Sequence, residues 1–576
     1  GAGMGAARGT FGPAATPRST PMLVTTWTSW SLERGGGDTT EVSELFESFR
    51  TSRGVEGIAL QFARLLHASY AKAGLSSSRG TGIAPLDVIR TAVGDQKRYA
   101  RVLWERLEAR RLSMDYIRRP LVGQRAVVVG AGPVGLRCAL ELALLGAEVV
   151  VLERRVEFER INRLHLWPWV GEDLKAWGAK VLEPPELSFG ADPDFLHIGI
   201  AELQMLLLKP CLLLGVQVLF GVEFAGSSPS KIGARGTSAW DILLKPRGQG
   251  PPPGPPAPPR LRGVTVLIGA DGPCGSVARA HSLELQETAS LRKEAALGLV
   301  MNFTNRQSPA EKSRRSFSLA RQFYEPLFRE CEEKTGLALE NIVCYISSQT
   351  HYFVMTPTRG SLQRVGVLAK DAAEGETLAT LDEAKLAPVA HAVASFPWKP
   401  DEAPLPEETV GSPVGGPKLF DFSRTRRAAV GLSVVDASAG SAAAAGPFSQ
   451  MLVGLCGDAL IEPFWPEGLG VMRGFFGAMD IASAVKVWVE SGGDGMAAKA
   501  HFLAAFKELK SLSAKTRTAQ LRPEESAYAL DPSTRYRWSG SPSAPQRTNS
   551  MPALLIADRP GGLSASCKQQ GRRTII

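Results

Sequence analysis

A glycine-spaced turn is the first chemistry the chain offers: Arg125-Ala-Val-Val-Val-Gly130-Ala-Gly132-Pro-Val-Gly135. The run from Ala126 to Val129 reads as a buried parallel strand, and Leu136, Ala139, Leu140, Ala143 and Leu144 recur after it at helical spacing. Gly146 stands where that helix should stop, and a second apolar run, Val149 to Leu152, ends in the acid Glu153. Together these are the marks of a strand–helix–strand dinucleotide site. Gly130 permits the tight turn, Gly132 lets the backbone approach a pyrophosphate, and Gly135 lets helix and strand pack closely. The helix N-terminus offers N–H donors and positive potential to phosphates, and Glu153 can accept a ribose hydroxyl. An ordinary strand–turn–helix would need neither the terminal acid nor all three glycines.

Two further turns carry the same promise. Gly269-Ala-Asp271-Gly272 closes the apolar run beginning at Val264, and Leu455-Cys-Gly457-Asp458 closes the run from Met451. In an open α/β sheet, ligands bind at the carboxyl ends of the strands, so three such ends predict one site. Asp458 is suited to a polyol or ribityl chain. Downstream, Gly468 and Gly470 open a helix whose positive N-terminus would face a ring that gains negative charge on reduction, as a flavin does. The trio fits FAD, with Gly130, Gly132 and Gly135 at its adenosine end and NADPH as a visiting reductant without a fingerprint of its own.

The three-part pattern resembles the single-component flavin hydroxylases of the p-hydroxybenzoate hydroxylase type. A narrower resemblance rests on Leu152-Glu153-Arg154-Arg155, Arg160-Ile161-Asn162-Arg-Leu164-His165-Leu166-Trp167-Pro168, Thr350-His351-Tyr352-Phe353-Val-Met355, Glu462-Pro463-Phe464-Trp465-Pro466 and Leu530-Asp531-Pro532-Ser-Thr534-Arg535-Tyr536. These strings are similar to the monooxygenase domain of the MICAL family, over about 41–538. The resemblance implies an NADPH-dependent flavin monooxygenase that places one atom of O₂ on methionine sulfur of F-actin, promotes filament disassembly, and releases hydrogen peroxide as a side activity. It implies that Glu153 binds a ribose, that Arg154, Arg155, Arg160, Ile161 and Asn162 hold the FAD, and that Val134 touches it through its backbone. Phe224, Asp271, Tyr352 and Asp458 match further cofactor positions. Trp465 matches the aromatic beside the flavin ring and, with Gly468 and Gly470, marks the catalytic corner. A thioether needs no deprotonation, so no general base is required.

The elements that must position these residues define an α/β fold: a Rossmann-type FAD-binding domain with a parallel sheet, plus a mixed-sheet substrate-side domain. The expected divisions are a disordered tail over 1–40, a helical region over 41–122, the first part of the FAD-binding domain over 123–294, the mixed-sheet domain over 295–430, the closing part over 431–538 and a second tail over 539–576. In the helical region Ser43 is the expected cap, with Leu45, Phe46 and Phe49 on one face. Residues 97–125 carry nine basic side chains against three acidic ones. They read as a solvated face or as a docking patch for an acidic partner such as the filament. Pro251-Pro-Pro-Gly-Pro-Pro-Ala-Pro-Pro259 lies in a loop, 247–260, that cannot pair in a sheet and should tip a hairpin.

Composition narrows the rest. A net charge of +9 over 576 residues fits an acidic partner surface, but no basic run is interleaved with aromatics as nucleic-acid binding would need. Seven scattered cysteines without a Cys-x-x-Cys argue against zinc and a disulfide framework, and for a reducing, cytoplasmic setting, which the family resemblance places beside the cytoskeleton. No apolar run reaches the roughly 18 residues of a membrane span, since Lys209-Pro210 breaks the longest. The opening Gly-Ala-Gly-Met4 suggests a fragment or an uncertain gene model, and the calponin-homology and LIM modules usual in the family are not seen. Four features depart from the family pattern: Leu469 between two glycines beside the expected ring, the alanine-rich 436–446, the proline-rich loop, and Pro210, which should interrupt a helix. They leave two alternatives, a hydroxylase of small aromatic molecules and a catalytically inactive FAD-binding scaffold.

Overall fold

The computed structural model describes residues 41–538 except 76–83, 96, 161, 181–195, 231–239, 247–258, 290–296, 347–349, 371–376, 399–415, 423, 437–449, 464–467 and 514. Both expected tails, nearly all of the proline-rich loop, the alanine-rich stretch beyond Asp436, Ile161 and Trp465 lie outside the described residues.

Among the described residues four helices come first, Val42–Thr51, Val55–Lys72, Pro85–Val93 and Arg98–Arg111. The first buries Val42, Leu45, Phe46 and Phe49. Its cap is not Ser43: because Val42 is already buried as the first helical residue, Glu41 takes the cap position and Ser43 lies inside the first turn. The strands follow in chain order: β1 (Arg125–Val129), β2 (Glu148–Glu153), β3 (Arg163–Leu166), β4 (Leu196–Gly199), β5 (Gln217–Phe220), β6 (Val222–Pro229), β7 (Trp240–Pro246), β8 (Arg260–Leu261) and β9 (Val266–Gly269). Then come β10 (Leu285–Ala289), β11 (Leu297–Thr304), β12 (Phe317–Ala320), β13 (Leu339–Ile346), β14 (Thr350–Pro357), β15 (Lys418–Asp421), β16 (Arg424–Ala428), β17 (Leu432–Asp436) and β18 (Gln450–Leu455).

The central sheet has the order β17-β18-β9-β1-β2-β5. Its pairs are parallel except at the edge, where β17 runs antiparallel to β18. Ala126, Val127 and Val128 of β1 are fully buried, as are Val266, Leu267 and Ile268 of β9, which is why both read as unbroken apolar runs. The helix Pro133–Leu144 returns the chain from β1 to β2, and the long helix Gly470–Glu490 lies against it. A second sheet, β12-β13-β14-β11-β15, is antiparallel at every pairing and has its own core. The α/β class with a parallel cofactor-type sheet and a second sheet is the one the sequence predicts. The strands β7 and β8 that flank the proline-rich loop pair with each other as the two arms of a hairpin.

Two local expectations fail. The helix Ile200–Leu213 runs straight through Pro210. Leu203, Leu206, Leu207, Leu208, Cys211, Leu212 and Leu213 are all buried on it. At about 1.5–3 kcal/mol for each large side chain, that burial exceeds the ~3 kcal/mol penalty of an interior proline. The stretch 217–224, whose Gln217-Val-Leu-Phe and Val222-Glu-Phe224 alternate as one strand would, is two. Gly221, at φ +71°, turns the chain from β5 in the central sheet to β6 in a three-stranded sheet with β7 and β8.

Candidate functional site

Three strand ends lie side by side. Val129 of β1 and Leu455 of β18 are both in register with Gly269 of β9, so the turns 130–135, 270–275 and 456–459 leave the sheet from adjacent positions. Their closeness accounts for the glycines. A Cβ on Gly130 would stand 2.4 Å from the Ala270 carbonyl oxygen, at a φ of +108° that side chains rarely adopt. A Cβ on Gly135 would meet the Gly130 carbonyl at 1.9 Å. Val134 fills the next gap, and a Cβ on Gly474 or Gly457 would meet it at 2.3 or 3.1 Å. Its side chain is therefore spent on packing.

Gly132 differs from these. Its φ of −64° suits any residue, and a Cβ there would meet no protein atom within 4 Å. Neither conformation nor packing requires this glycine, and the open space over it permits close approach by a ligand. Two further observations fit a phosphate-bearing group. Neither the helix Pro133–Leu144 nor the helix Gly470–Glu490 has a side-chain cap on its first-turn N–H groups, so both present donors and positive potential. Asp271 uses one carboxylate oxygen, Oδ2, to accept from the Ser276 N–H and hydroxyl, while its buried Oδ1 has no partner among the described residues.

Glu153 ends β2 with both oxygens engaged, Oε2 accepting from the Ala131 N–H and Oε1 from the Arg155 N–H, each at 2.9 Å. It braces the glycine turn directly, and each oxygen keeps a second lone pair for a hydroxyl donor. Beyond it, 154–162 carries the expected arginines. Burial and the neighbouring Arg155 lower the pKa of Arg160, while Asp458 and Glu153 act against that shift. Those fields place Arg154, Arg155, Arg160, Glu153 and Asp458 in one neighbourhood. The Asp458 carboxyl is pushed up to about 6 by burial, with Arg160 pulling it down and Glu462 raising it. Asn162 donates to the Tyr352 hydroxyl at 3.4 Å, which joins β14 of the second sheet to this segment. Burial pushes that hydroxyl up to about 12, so it stays protonated.

Phe224 is half-buried and packs against the main core. Gly468, at φ +65°, and Gly470 do open the long helix, but Leu469 is 1% exposed and belongs to the core, not to a face beside a ring. Part of the basic stretch 97–125 is used within the fold, while Lys97, Arg98, Arg101, Arg118 and Arg119 are exposed. Arg110 pairs with Asp173 and Glu141, Arg111 with Asp87, and Arg125 with Glu148, while Arg106 donates to the Lys175 carbonyl. Sequence reading missed Gln204, whose amide donates to the Ala131 carbonyl at 2.8 Å and so fixes the glycine turn from the opposite side. An apolar helix gave no signal for it.

Comparison with known proteins bears on the same residues. A family profile described as Pyridine nucleotide-disulphide oxidoreductase matches 106–182, across β1, the glycine turn and β2. One described as Mical, Rossman domain matches 295–403. In this chain the region it matches carries antiparallel strands β11–β14, and the parallel sheet lies outside it. The [F-actin]-monooxygenase MICAL1 of mouse is 36% identical over 450 residues, 76% of this chain and 39% of that protein. Human MICAL1 is 36% identical over 502 residues, 85% of this chain and 42% of that protein. The zebrafish Protein-methionine sulfoxide oxidase mical3a is 34% identical over 445 residues, with 21% of its length covered. The chain thus spans about two fifths of the length of the mouse and human relatives. Among solved structures, p-nitrophenol 4-monooxygenase from Pseudomonas putida matches at 15% identity and a TM-score of 0.44, over 71% of this chain and 93% of that one.

Proposed function

The chain belongs to the MICAL family over the stretch it shares with those relatives, and on that footing we propose that it is an FAD-dependent, NADPH-consuming monooxygenase acting on methionine sulfur of F-actin. The observation that carries the cofactor part is Gly132, a glycine that neither the backbone nor the packing of this protein requires. FAD held there would supply the activation of O₂ and the transfer of one oxygen atom to a thioether. The residues around it bind, orient and shield. The helix beginning at Pro133 and the 154–162 arginines would neutralise the pyrophosphate, and Glu153 would take a ribose hydroxyl. Asp458 and the free Oδ1 of Asp271 would accept from the polyol chain. The uncapped N-terminus at Gly470 would stabilise negative charge on the reduced ring. Tyr352, protonated and tied to Asn162, would hold the second sheet over the site and keep water from the reacting oxygen. Trp465, Gly468 and Gly470 are proposed for the catalytic corner and Phe224 for cofactor contact.

The substrate part rests on the activity for which the relatives are named. F-actin is the proposed partner, filament disassembly the proposed consequence, and hydrogen peroxide the proposed product when no thioether is presented. The setting is proposed to be the cytoplasm beside the cytoskeleton. Among the described residues no helix is long and apolar enough to cross a membrane.

The test is NADPH consumption by FAD-loaded protein with and without F-actin, followed by mass spectrometry of the actin. Filament-stimulated turnover with sulfoxide on actin methionines supports the proposal. Turnover stimulated by a soluble aromatic compound and indifferent to filaments would replace it with a small-molecule hydroxylase. A flavin that binds but is never bleached by NADPH would leave a scaffold.

A further inference from the structure

The N-terminal helices contain none of the expected cofactor residues, yet their first corner grips the loop that carries five of them. Helix Val42–Thr51 ends and helix Val55–Lys72 begins within three residues, so the negative end of one dipole and the positive end of the next meet at 50–55. The start of helix Val55–Lys72 has no side-chain cap of its own, and at the end of helix Val42–Thr51 the Ser52 hydroxyl satisfies only the Phe49 carbonyl. Each is met by a charge of the complementary sign from far along the chain. Lys209 Nζ donates to the Arg50 and Ser52 carbonyls at 2.6 and 3.0 Å. Both oxygens of Glu157 accept from the Val55 N–H at 2.9 Å. Gly54, between them, is fitted to this contact: it sits at φ +70°, a Cβ there would stand 3.3 Å from Glu157 Oε2, and its N–H donates to Met205 Sδ at 3.3 Å.

Glu157 lies near the middle of 154–162, a segment whose described residues have no strand pairing. The two ends of that segment are held by backbone bonds. The Arg155 carbonyl accepts from Gly221 N–H at 3.1 Å, the Arg160 carbonyl from Ala201 N–H at 3.0 Å, and the Asn162 carbonyl from Ile200 N–H at 2.9 Å. Met205 and Lys209 project from the same helix, Ile200–Leu213, whose first residues hold Arg160 and Asn162. Corner, loop and helix therefore close a ring of contacts, and Glu157 is the side chain that joins corner to loop.

We propose that Glu157 is a positioning residue: by capping helix Val55–Lys72 it fixes the 154–162 loop in the shape that presents Arg154, Arg155, Arg160 and Asn162 to the cofactor, with Lys209 closing the same corner from the other side. The cofactor half of this statement rests on the FAD reading above, and the loop half stands without it. Two measurements separate them, hydrogen–deuterium exchange over 154–162 in the apo-protein and titration of apo-protein with FAD followed by flavin fluorescence. In E157A the loop amides exchange about tenfold faster and FAD binds about tenfold more weakly. E157Q keeps a carbonyl acceptor for the Val55 N–H and stays within about twofold of wild type in both. Wild-type exchange in E157A overturns the proposal. So does E157Q failing as badly as E157A in FAD affinity, because the carboxylate would then act through its charge and not as a cap. If wild-type protein takes up no FAD, the cofactor reading falls, and the exchange result alone decides whether Glu157 holds the loop.

Discussion

Asp458, at the end of β18, and Glu311, beside the second sheet, are both carboxylates removed from most of the solvent, and they titrate in opposite directions. Burial pushes Asp458 up to about 6, and Arg160 only partly offsets this. Burial acts on Glu311 too, but the Ser308 N–H and hydroxyl, the Arg306 N–H and His351 outweigh it and hold the carboxyl at about 2. The difference is one of completed partners. Glu311 accepts from Ser308 N–H at 2.9 Å, from Arg306 N–H at 3.2 Å and pairs with His351 Nε2 at 3.2 Å, closing a capping box on the helix Pro309–Ser313. The turns of the central sheet instead keep acceptors and helix termini without partners of their own, as the orphaned Asp271 Oδ1 also does. A region built for holding itself together satisfies its polar groups, and a region built for a ligand leaves some for the ligand.

The comparison breaks first at Glu311. Glu311→Ala strands the Arg306 and Ser308 N–H groups and the buried His351, and should cost about 3 kcal/mol. Because the folded pKa lies below the ordinary 4.5, this stabilisation is present above pH 4.5 and lost as pH falls through about 2. Urea unfolding of the apo-protein at pH 7 and in acid should find a gap between variant and wild type that closes across that window. A gap that ignores pH would mean the carboxylate is not the acceptor that matters.

Gly130→Ala comes next. The added Cβ meets the Ala270 carbonyl at 2.4 Å in a backbone that disfavours side chains, so the loss should be about 2 kcal/mol. A thermal midpoint equal to wild type would say that the β1 and β9 turns can part without penalty. The effect on FAD loading should follow the loss of fold, not precede it.

The pattern of what the sequence made legible follows from distance along the chain. Local signals were sufficient for β1, the glycine turn and Glu153, and the apolar runs at β9 and β18 were long enough to read as buried strands. The convergence of their three turns was also legible, because parallel strands leave a sheet on one side. Glu157 at Val55 was not legible, since its partner is 102 residues away and an acid in a loop ordinarily faces water. The same holds for Arg137 and Glu141, an i,i+4 pair that resembles a solvated helix face. It is fully buried because Asp173 and Arg110 arrive from other elements. Pro210 misled for the converse reason: a strong local rule was overridden by burial on all sides of its helix. Leu469 misled because its neighbours in sequence are glycines of the site, while the residue itself turns inward to the core.

Asp458→Asn should have a smaller effect and the opposite sign. A carboxyl whose folded pKa is raised contributes stability that is fully present below its ordinary 3.8 and lost as pH rises through about 6. Asparagine never ionises, so the variant should match wild type in acid and exceed it by about 1 kcal/mol at pH 8. Its FAD affinity should nevertheless fall, because an acceptor for the polyol chain is gone. A variant less stable than wild type at pH 8 would show that Asp458 is a satisfied structural group like Glu311, and the contrast between the two regions would vanish.

Gly132→Ala should move stability least and bears hardest on the cofactor. With φ at −64° and no protein atom within 4 Å of the new Cβ, unfolding should shift by no more than about 0.5 kcal/mol. FAD affinity should drop about ten- to a hundredfold, the equivalent of overpacking one methyl against a ligand. The pairing of these results is what discriminates. Gly130→Ala disturbs the protein and reaches the cofactor only through it, whereas Gly132→Ala leaves the protein intact and should fail only when FAD is added. If Gly132→Ala binds FAD as wild type does, the pyrophosphate does not lie over this turn, and the cofactor must be sought elsewhere along the three strand ends.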